Sequence, residues 1–177
     1  KRQVKDALEI VKKVSFILAV TARFTRGGGH YNISTDNILV KYKGDELIDV
    51  KVVGFTSIGT SYSGNSPIGE NDINRKFRAP ETEKCIHDHR SDIYSLGMVM
   101  LLMLTGYPKV IQTEHYSIDF GSGTVDLTDV SSMDFYKAMW KQADKSLSSS
   151  LRLILRKATD LSPSGRFVTC LLYTSPS

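Results

Sequence analysis

The feature that most constrains this chain is the run from Ile93 to Leu104, in which Ile93, Leu96, Met98, Val99, Met100, Leu101, Leu102, Met103 and Leu104 leave no polar stripe. A helix apolar almost all round lies either inside a protein or inside a bilayer, and about a dozen residues are too few to cross one. The spacing predicts a central buried helix, capped by Asp92 and ending near Thr105. Everything else in the chain must wrap it.

The wrapping material is visible. Val4, Ala7, Leu8, Val11, Val14, Ile17 and Leu18 recur at three- and four-residue steps and predict an amphipathic helix of about five to six turns, stopped by Gly27-Gly28-Gly29. Ile38-Leu39-Val40 and Ile48 to Val53, joined through Lys43-Gly44-Asp45, predict a β-hairpin. Met133 to Lys141 and Ser149 to Thr159 read as two further helices, and residues 107 to 130 as irregular. From Gly54 to Arg78 the composition turns to Ser, Thr, Gly and Asn without a sustained period, and a loop of that length inside a compact domain is usually functional. At 177 residues and 41% apolar, the chain needs neither metal nor disulfide to build a core. Cys85 and Cys170 lie far apart with no secretory segment, which points to free thiols and a cytoplasmic address.

The net charge is +4, and residues 1 to 26 alone hold seven Lys/Arg against Asp6 and Glu9. A surplus confined to one helix reads as that helix's solvent face, not as a nucleic-acid footprint. Asn32-Ile33-Ser34 is formally a glycosylation sequon and is read as coincidence. Cys85-Ile86-His87-Asp88-His89 places soft and imidazole ligands at alternate positions but lacks a second ligand pair nearby, so an exposed loop and not a metal site is expected there. Gly121-Ser122-Gly123-Thr124 lacks the strand-to-helix context of a phosphate loop and reads as a turn. The Met residues 98, 100 and 103 are read as core filler.

The order of motifs narrows the reading. His30-Tyr31-Asn32-Ile33-Ser34-Thr35-Asp36-Asn37-Ile38-Leu39-Val40 resembles the protein-kinase catalytic loop, His-Arg-Asp-Leu-Lys-Pro-x-Asn. Lys51-Val52-Val53-Gly54-Phe55-Thr56 resembles Lys-Ile-x-Asp-Phe-Gly, and Phe77-Arg78-Ala79-Pro80-Glu81 resembles the end of the activation segment. Ser91-Asp92-Ile93-Tyr94-Ser95-Leu96-Gly97 is similar to the start of the family's central helix, and Asp160 to Arg166 to the Asp-Pro-x-x-Arg turn. Five such segments in order resemble the protein kinase superfamily over about residues 4 to 168, with a closer likeness to the tyrosine-kinase-like group and its mixed-lineage kinase domain-like pseudokinase. The implied fold is mainly α with some β: the helical C-lobe of a kinase, a central buried helix and a short hairpin beside the catalytic loop. The 177 residues contain no Gly-rich loop and no strand Lys with its Glu partner, so only the C-lobe is expected here, and the final helix is expected to stop short after about residue 168.

The resemblance also implies roles. Asn32 stands at the catalytic-base position, where a neutral amide cannot accept a hydroxyl proton near neutral pH. Ser34 stands where the family has a Lys beside the transferred phosphate, and Gly54 where it has the Asp that holds Mg²⁺. Only Asn37 matches a metal ligand, so Mg²⁺, if bound, would rest on Asn37, and ATP would depend on the lobe not represented here. The implied structural residues are His30, Phe55, Glu81, Asp92 and Arg166, with Glu81 and Arg166 as a buried ion pair and Asp92 accepting backbone N–H groups around His30 and Tyr31. Thr60, Ser61, Tyr62 and Ser63, flanked by Arg75, Lys76 and Arg78, are candidate phosphosites. The expected function is a catalytically inactive pseudokinase, a conformational or allosteric signalling module read by another protein, a kinase or effector. An active but unorthodox protein kinase and a helical interaction module built on the basic first helix are the alternatives.

Overall fold

The computed structural model describes residues 2–25, 28–55, 73–84, 88–108, 110–112, 117–119 and 130–169. Helix α1 runs Arg2–Phe24. Its inward face is Ala7, Ile10, Val11, Val14 and Leu18, all buried, which is the apolar stripe that the spacing predicts. Near its end the hydroxyls of Thr21 and Thr25 donate to Ile17 O and Thr21 O. A short 3₁₀ turn, Thr35–Asn37, leads into strand β1, Ile38–Lys43, which pairs antiparallel with β2, Glu46–Val52. The hairpin is longer than the two apolar runs suggested, because Lys41 to Lys43 and Glu46 to Leu47 extend the ladder, Lys41 to Lys43 and Glu46 being exposed and Leu47 partly buried against the core.

Helix α2 spans His89–Thr105 and keeps Ser91 through Leu102 buried without a break. Its cap is not Asp92. The Asp88 carboxylate accepts from the Arg90 N–H at 2.6 Å and is paired with the Arg90 guanidinium. The helix therefore starts one turn earlier than expected, and Asp92 falls inside it. Asp88 and Asp92 are equally good capping types, so the sequence pattern cannot separate them.

Helix α3, Ser132–Ser146, opens on Ser131, whose hydroxyl accepts from the Asp134 N–H. It runs five residues beyond the expected end because Ala143 is still buried against the core. Helix α4, Ser149–Ala158, is capped by Ser148 and buries Leu155 and Ala158. Between α2 and α3 the structure differs from the irregular segment expected: β3, Val110–Gln112, pairs with β4, Ser117–Asp119. Three-residue strands give no usable alternation, which is why the sequence does not show them.

Helices α1, α3 and α4 each pack against α2. On the α4 side the fit depends on Gly97: a Cβ there would stand 2.7 Å from the Thr159 methyl and 3.1 Å from Ala158 Cβ. The Trp140 indole N–H bonds the Thr159 hydroxyl, and the Arg156 guanidinium lies over the Trp140 ring, so α3 and α4 are tied at the same point. Met98 and Met100 are fully buried and Met103 is half-buried, consistent with core filling. The mainly helical architecture with one hairpin beside residues 30–37 is the fold class expected. Among the described residues no helix is long and apolar enough to cross a membrane.

Candidate functional site

The site is assembled where the segment after α1 crosses the start of α2. The Asp92 carboxylate, fully buried, accepts from the His30 N–H at 2.6 Å and from the Tyr31 N–H at 2.7 Å. These two bonds hold residues 30 and 31 in a fixed bend, with Tyr31 at φ +61°. Burial pushes the Asp92 carboxyl up to about 7, against the two N–H bonds that favour its charged form.

The His30 ring is fully buried. Its Nδ1 accepts from the Asn32 N–H and its Nε2 donates to Val53 O at 2.9 Å. Both contacts suit a neutral imidazole, and burial holds the pKa below its ordinary value. Phe55 meets the same ring edge-on, with centroids 4.5 Å apart. His30 thus ties the loop to the end of β2 by one hydrogen bond and one ring contact. The Val53 carbonyl in this link carries no sequence signal, since any residue supplies one.

Asn37 closes the loop. Its Nδ2 donates to Asn32 O at 2.8 Å, and its backbone carbonyl accepts from the Val53 N–H. The structure therefore brings Asn32, Asn37 and Gly54 together. Gly54 adopts φ +84°, a conformation that disfavours any L side chain, and a Cβ there would lie 3.0 to 3.2 Å from the Asn37 amide. Ser34 is fully buried with no hydrogen-bond partner for its hydroxyl. Its sequon neighbour Asn32 is half-buried inside this loop.

Glu81, on the 3₁₀ turn Pro80–Lys84, takes a two-pronged bond from Arg166: Nη1 at 2.5 Å and Nη2 at 2.8 Å. The pair is buried, and Arg166 also donates to Asp160 O and Arg90 O. The Ser91 hydroxyl adds a third donor to Glu81 at 2.8 Å, a contact that sequence reasoning missed, although Ser91 adjoins Asp92. Burial alone would raise the Glu81 carboxyl; Arg166, the Glu81 backbone N–H and Ser91 together hold it below the ordinary range.

The candidate phosphosites Thr60, Ser61, Tyr62 and Ser63, residues 85–87 of the Cys85–His89 run and residues 121–124 lie outside the described residues; of that run, Asp88 caps α2 and the His89 ring bonds Val168 O. Of the basic residues flanking the phosphosites, Lys76 is buried and its ammonium donates to Val130 O. Among the described residues no cluster of His, Cys, Asp and Glu could hold a metal ion.

With this geometry in view, the relatives become informative. No protein-family model matches the chain. It is 29% identical over 121 residues to MAP kinase-interacting serine/threonine-protein kinase 1 of Xenopus tropicalis, covering 60% of this chain and 28% of that protein. It is 25% identical over 126 residues to calcium-dependent protein kinase 4 of Plasmodium berghei (strain Anka), covering 69% and 23%. The kinase domain of Mycobacterium tuberculosis PknI superposes over 97% of this chain and 53% of that domain, with a TM-score of 0.56 at 20% identity. The chain has the fold of a protein-kinase C-terminal lobe. It spans about a quarter of the length of the curated relatives and about half of the PknI domain. The protein kinase superfamily is thereby supported from both sequence and fold.

Proposed function

We propose that this kinase-fold lobe does not transfer phosphoryl groups and works by presenting a fixed conformation to another protein, a kinase or effector. The observation that carries the reading is Gly54. Phosphoryl transfer needs anionic oxygens to hold Mg²⁺ and a base for the substrate hydroxyl, and a hard divalent cation takes about six or more oxygen ligands. Gly54 supplies no side chain, and its φ of +84° with Asn37 packed against it leaves no room to add one without rearrangement. Asn37 spends its amide N–H on Asn32 O, leaving one neutral oxygen. Asn32 cannot act as a base near neutral pH. Ser34 is buried where a cation would face a phosphate. The residues present do not fit Mg²⁺-ATP chemistry.

The supports around that centre favour a folded signalling part over a decayed one. Asp92 holds residues 30 and 31, His30 and Phe55 hold the end of β2, and Glu81 with Arg166 holds the segment before α2. A site with its scaffold kept rigid and its charges removed suits recognition by shape.

The test is a phosphotransfer assay on the full-length protein with radiolabelled ATP, Mg²⁺ or Mn²⁺, and casein and a Glu/Tyr polymer as acceptors. Incorporation no higher than that of Asn37→Ala is expected. Turnover that collapses in Asn37→Ala would overturn the reading in favour of an unorthodox active kinase.

A further inference from the structure

The basic helix α1 plays no part in the site around Gly54, yet four large apolar side chains stand out from it. Leu8 is 47%, Phe16 64%, Val20 37% and Phe24 83% exposed, and Lys5, Lys12 and Arg23 are exposed among them. A helix turns by about 100° per residue, so residues four apart lie about 40° apart around the axis. Phe16, Val20 and Phe24 therefore share a sector of about 80° over roughly 12 Å of helix, with Leu8 to one side. The opposite face, which includes Ala7, Val14 and Leu18, is buried in the core. Helix α1 thus carries apolar side chains on both sides, and only one side is used by the fold.

The charge around the unused side is mainly positive. Among the described residues of α1 no carboxylate is exposed. Asp6 is half-buried and accepts from the Tyr42 hydroxyl at 3.4 Å. Glu9, also half-buried, has Lys5, Lys12 and Lys13 three or four residues away, on its own side of the helix. A recess of about 480 Å³ lies between α1 and β2 beside Phe16, and Asp49 on its far wall stands 4.0 Å from the Lys51 ammonium. Each carboxylate on this side is therefore matched by a nearby cation, and Lys12 and Arg23 are left in surplus beside the phenyl rings.

We propose that the outward face of α1 rests on an anionic lipid surface, with Phe16, Val20 and Phe24 entering the headgroup layer and Lys5, Lys12 and Arg23 meeting lipid phosphates. Projecting rings set among cations need a partner that yields around the rings and supplies negative charge, and the interface of an anionic bilayer does both. A nucleic acid offers the charge but no apolar layer for Phe16 and Phe24. An acidic protein would need a preformed trench to receive three projecting side chains in one sector. The helix lies along the surface and does not cross it, in keeping with the absence, among the described residues, of a helix long and apolar enough to span. No residue of the loop around Gly54 takes part, so the contact holds or fails independently of phosphoryl transfer.

The test is co-sedimentation of the full-length protein with phosphatidylcholine vesicles, either pure or carrying about 30% phosphatidylserine. Binding should require phosphatidylserine and weaken as salt rises from about 50 to 500 mM. Phe16→Ser/Phe24→Ser should lower it by about tenfold or more at an unchanged melting midpoint, and Lys5→Glu/Lys12→Glu by a similar factor. The same charge change on α3, Lys137→Glu/Lys145→Glu, should leave it within about twofold. In Phe24→Trp the added indole emission should shift to shorter wavelength on the anionic vesicles. Equal binding to pure phosphatidylcholine, or binding that neither α1 variant alters, would overturn the proposal. So would full-length protein that stays in the supernatant, the outcome if another part of the chain covers α1, and so would α1-dependent capture of an oligonucleotide or an acidic peptide in place of vesicles.

Discussion

At position 54 two restraints coincide, a positive φ and the Asn37 amide 3.0 Å from where a Cβ would stand. Gly54→Asp is therefore expected to lower stability by about 1–3 kcal/mol instead of rebuilding a metal site, read by urea denaturation with and without Mg²⁺. A variant as stable as the parent and stabilised further by Mg²⁺ would show that the backbone readily adapts. Glu81 and Arg166 act oppositely, since their value lies in each other. Glu81→Ala should cost about 3–5 kcal/mol because Arg166 is left as an uncompensated buried cation, and adding Arg166→Ala should cost much less than a second such loss.

Titration adds a third residue-level expectation. Asp92 is raised from 3.8 to about 7, so the folded state binds more protons than the unfolded chain between those values. Its stabilising contribution is full below about pH 4 and lost as pH rises through 7. His30, lowered by burial, works the other way: its contribution is present above its ordinary 6.5 and lost as pH falls. The two oppose each other in the wild-type protein. In Asp92→Asn the His30 effect stands alone, so stability should climb more steeply from pH 5 to 7 than in the parent. Parallel pH profiles for the two proteins would contradict this assignment.

Among elements, the α2–α4 contact is the one where a local rule should reverse its sign. Replacing a mid-helix Gly by Ala ordinarily gains up to about 1 kcal/mol. At Gly97 the new methyl would meet Thr159 and Ala158, and Thr159 cannot step aside without releasing Trp140. Gly97→Ala should thus destabilise by about 1–3 kcal/mol, measured as a fall in the urea midpoint at unchanged slope; an increase would mean that α4 shifts freely. The helices were legible because each carries a 3.6-residue stripe or, for α2, an unbroken apolar run. The hairpin was legible through its Lys-Gly-Asp turn. The β3–β4 pair was not, because three-residue strands are set by their partner and not by a pattern. The Asp88 cap was missed for a related reason: two acceptable caps stood one turn apart, and tertiary demand on Asp92 by His30 and Tyr31 decided between them. The same limit applies to the site. Motif order identified Asn32, Asn37 and Gly54 as positions, while the crowding of Gly54 by Asn37 is a property of backbone geometry that residue types do not encode.

For the molecule as a whole, the organising fact is a core centred on α2 with apolar side chains left outside it. Phe16 is 64% and Phe24 83% exposed on α1, and Leu39 and Val40 lie open on β1. Large apolar side chains left open to water in this way are sites where a hydrophobic probe can bind. The 177-residue chain alone should therefore bind a hydrophobic dye in its folded state, and Phe16→Lys/Phe24→Lys should reduce that binding without lowering the melting midpoint appreciably. Dye binding unaffected by both changes would locate the exposed surface elsewhere.

With its structural supports in place and Gly54 at the reaction centre, the lobe is proposed not to hold a divalent cation. Paramagnetic broadening by Mn²⁺ tests it most directly, observed on the amide signals of Asn37, Gly54 and Phe55 in the full-length protein with a non-hydrolysable ATP analogue. Those signals should keep their linewidths at Mn²⁺ concentrations that saturate an active kinase; selective broadening at Asn37 and Gly54, abolished by Asn37→Ala, would contradict the account.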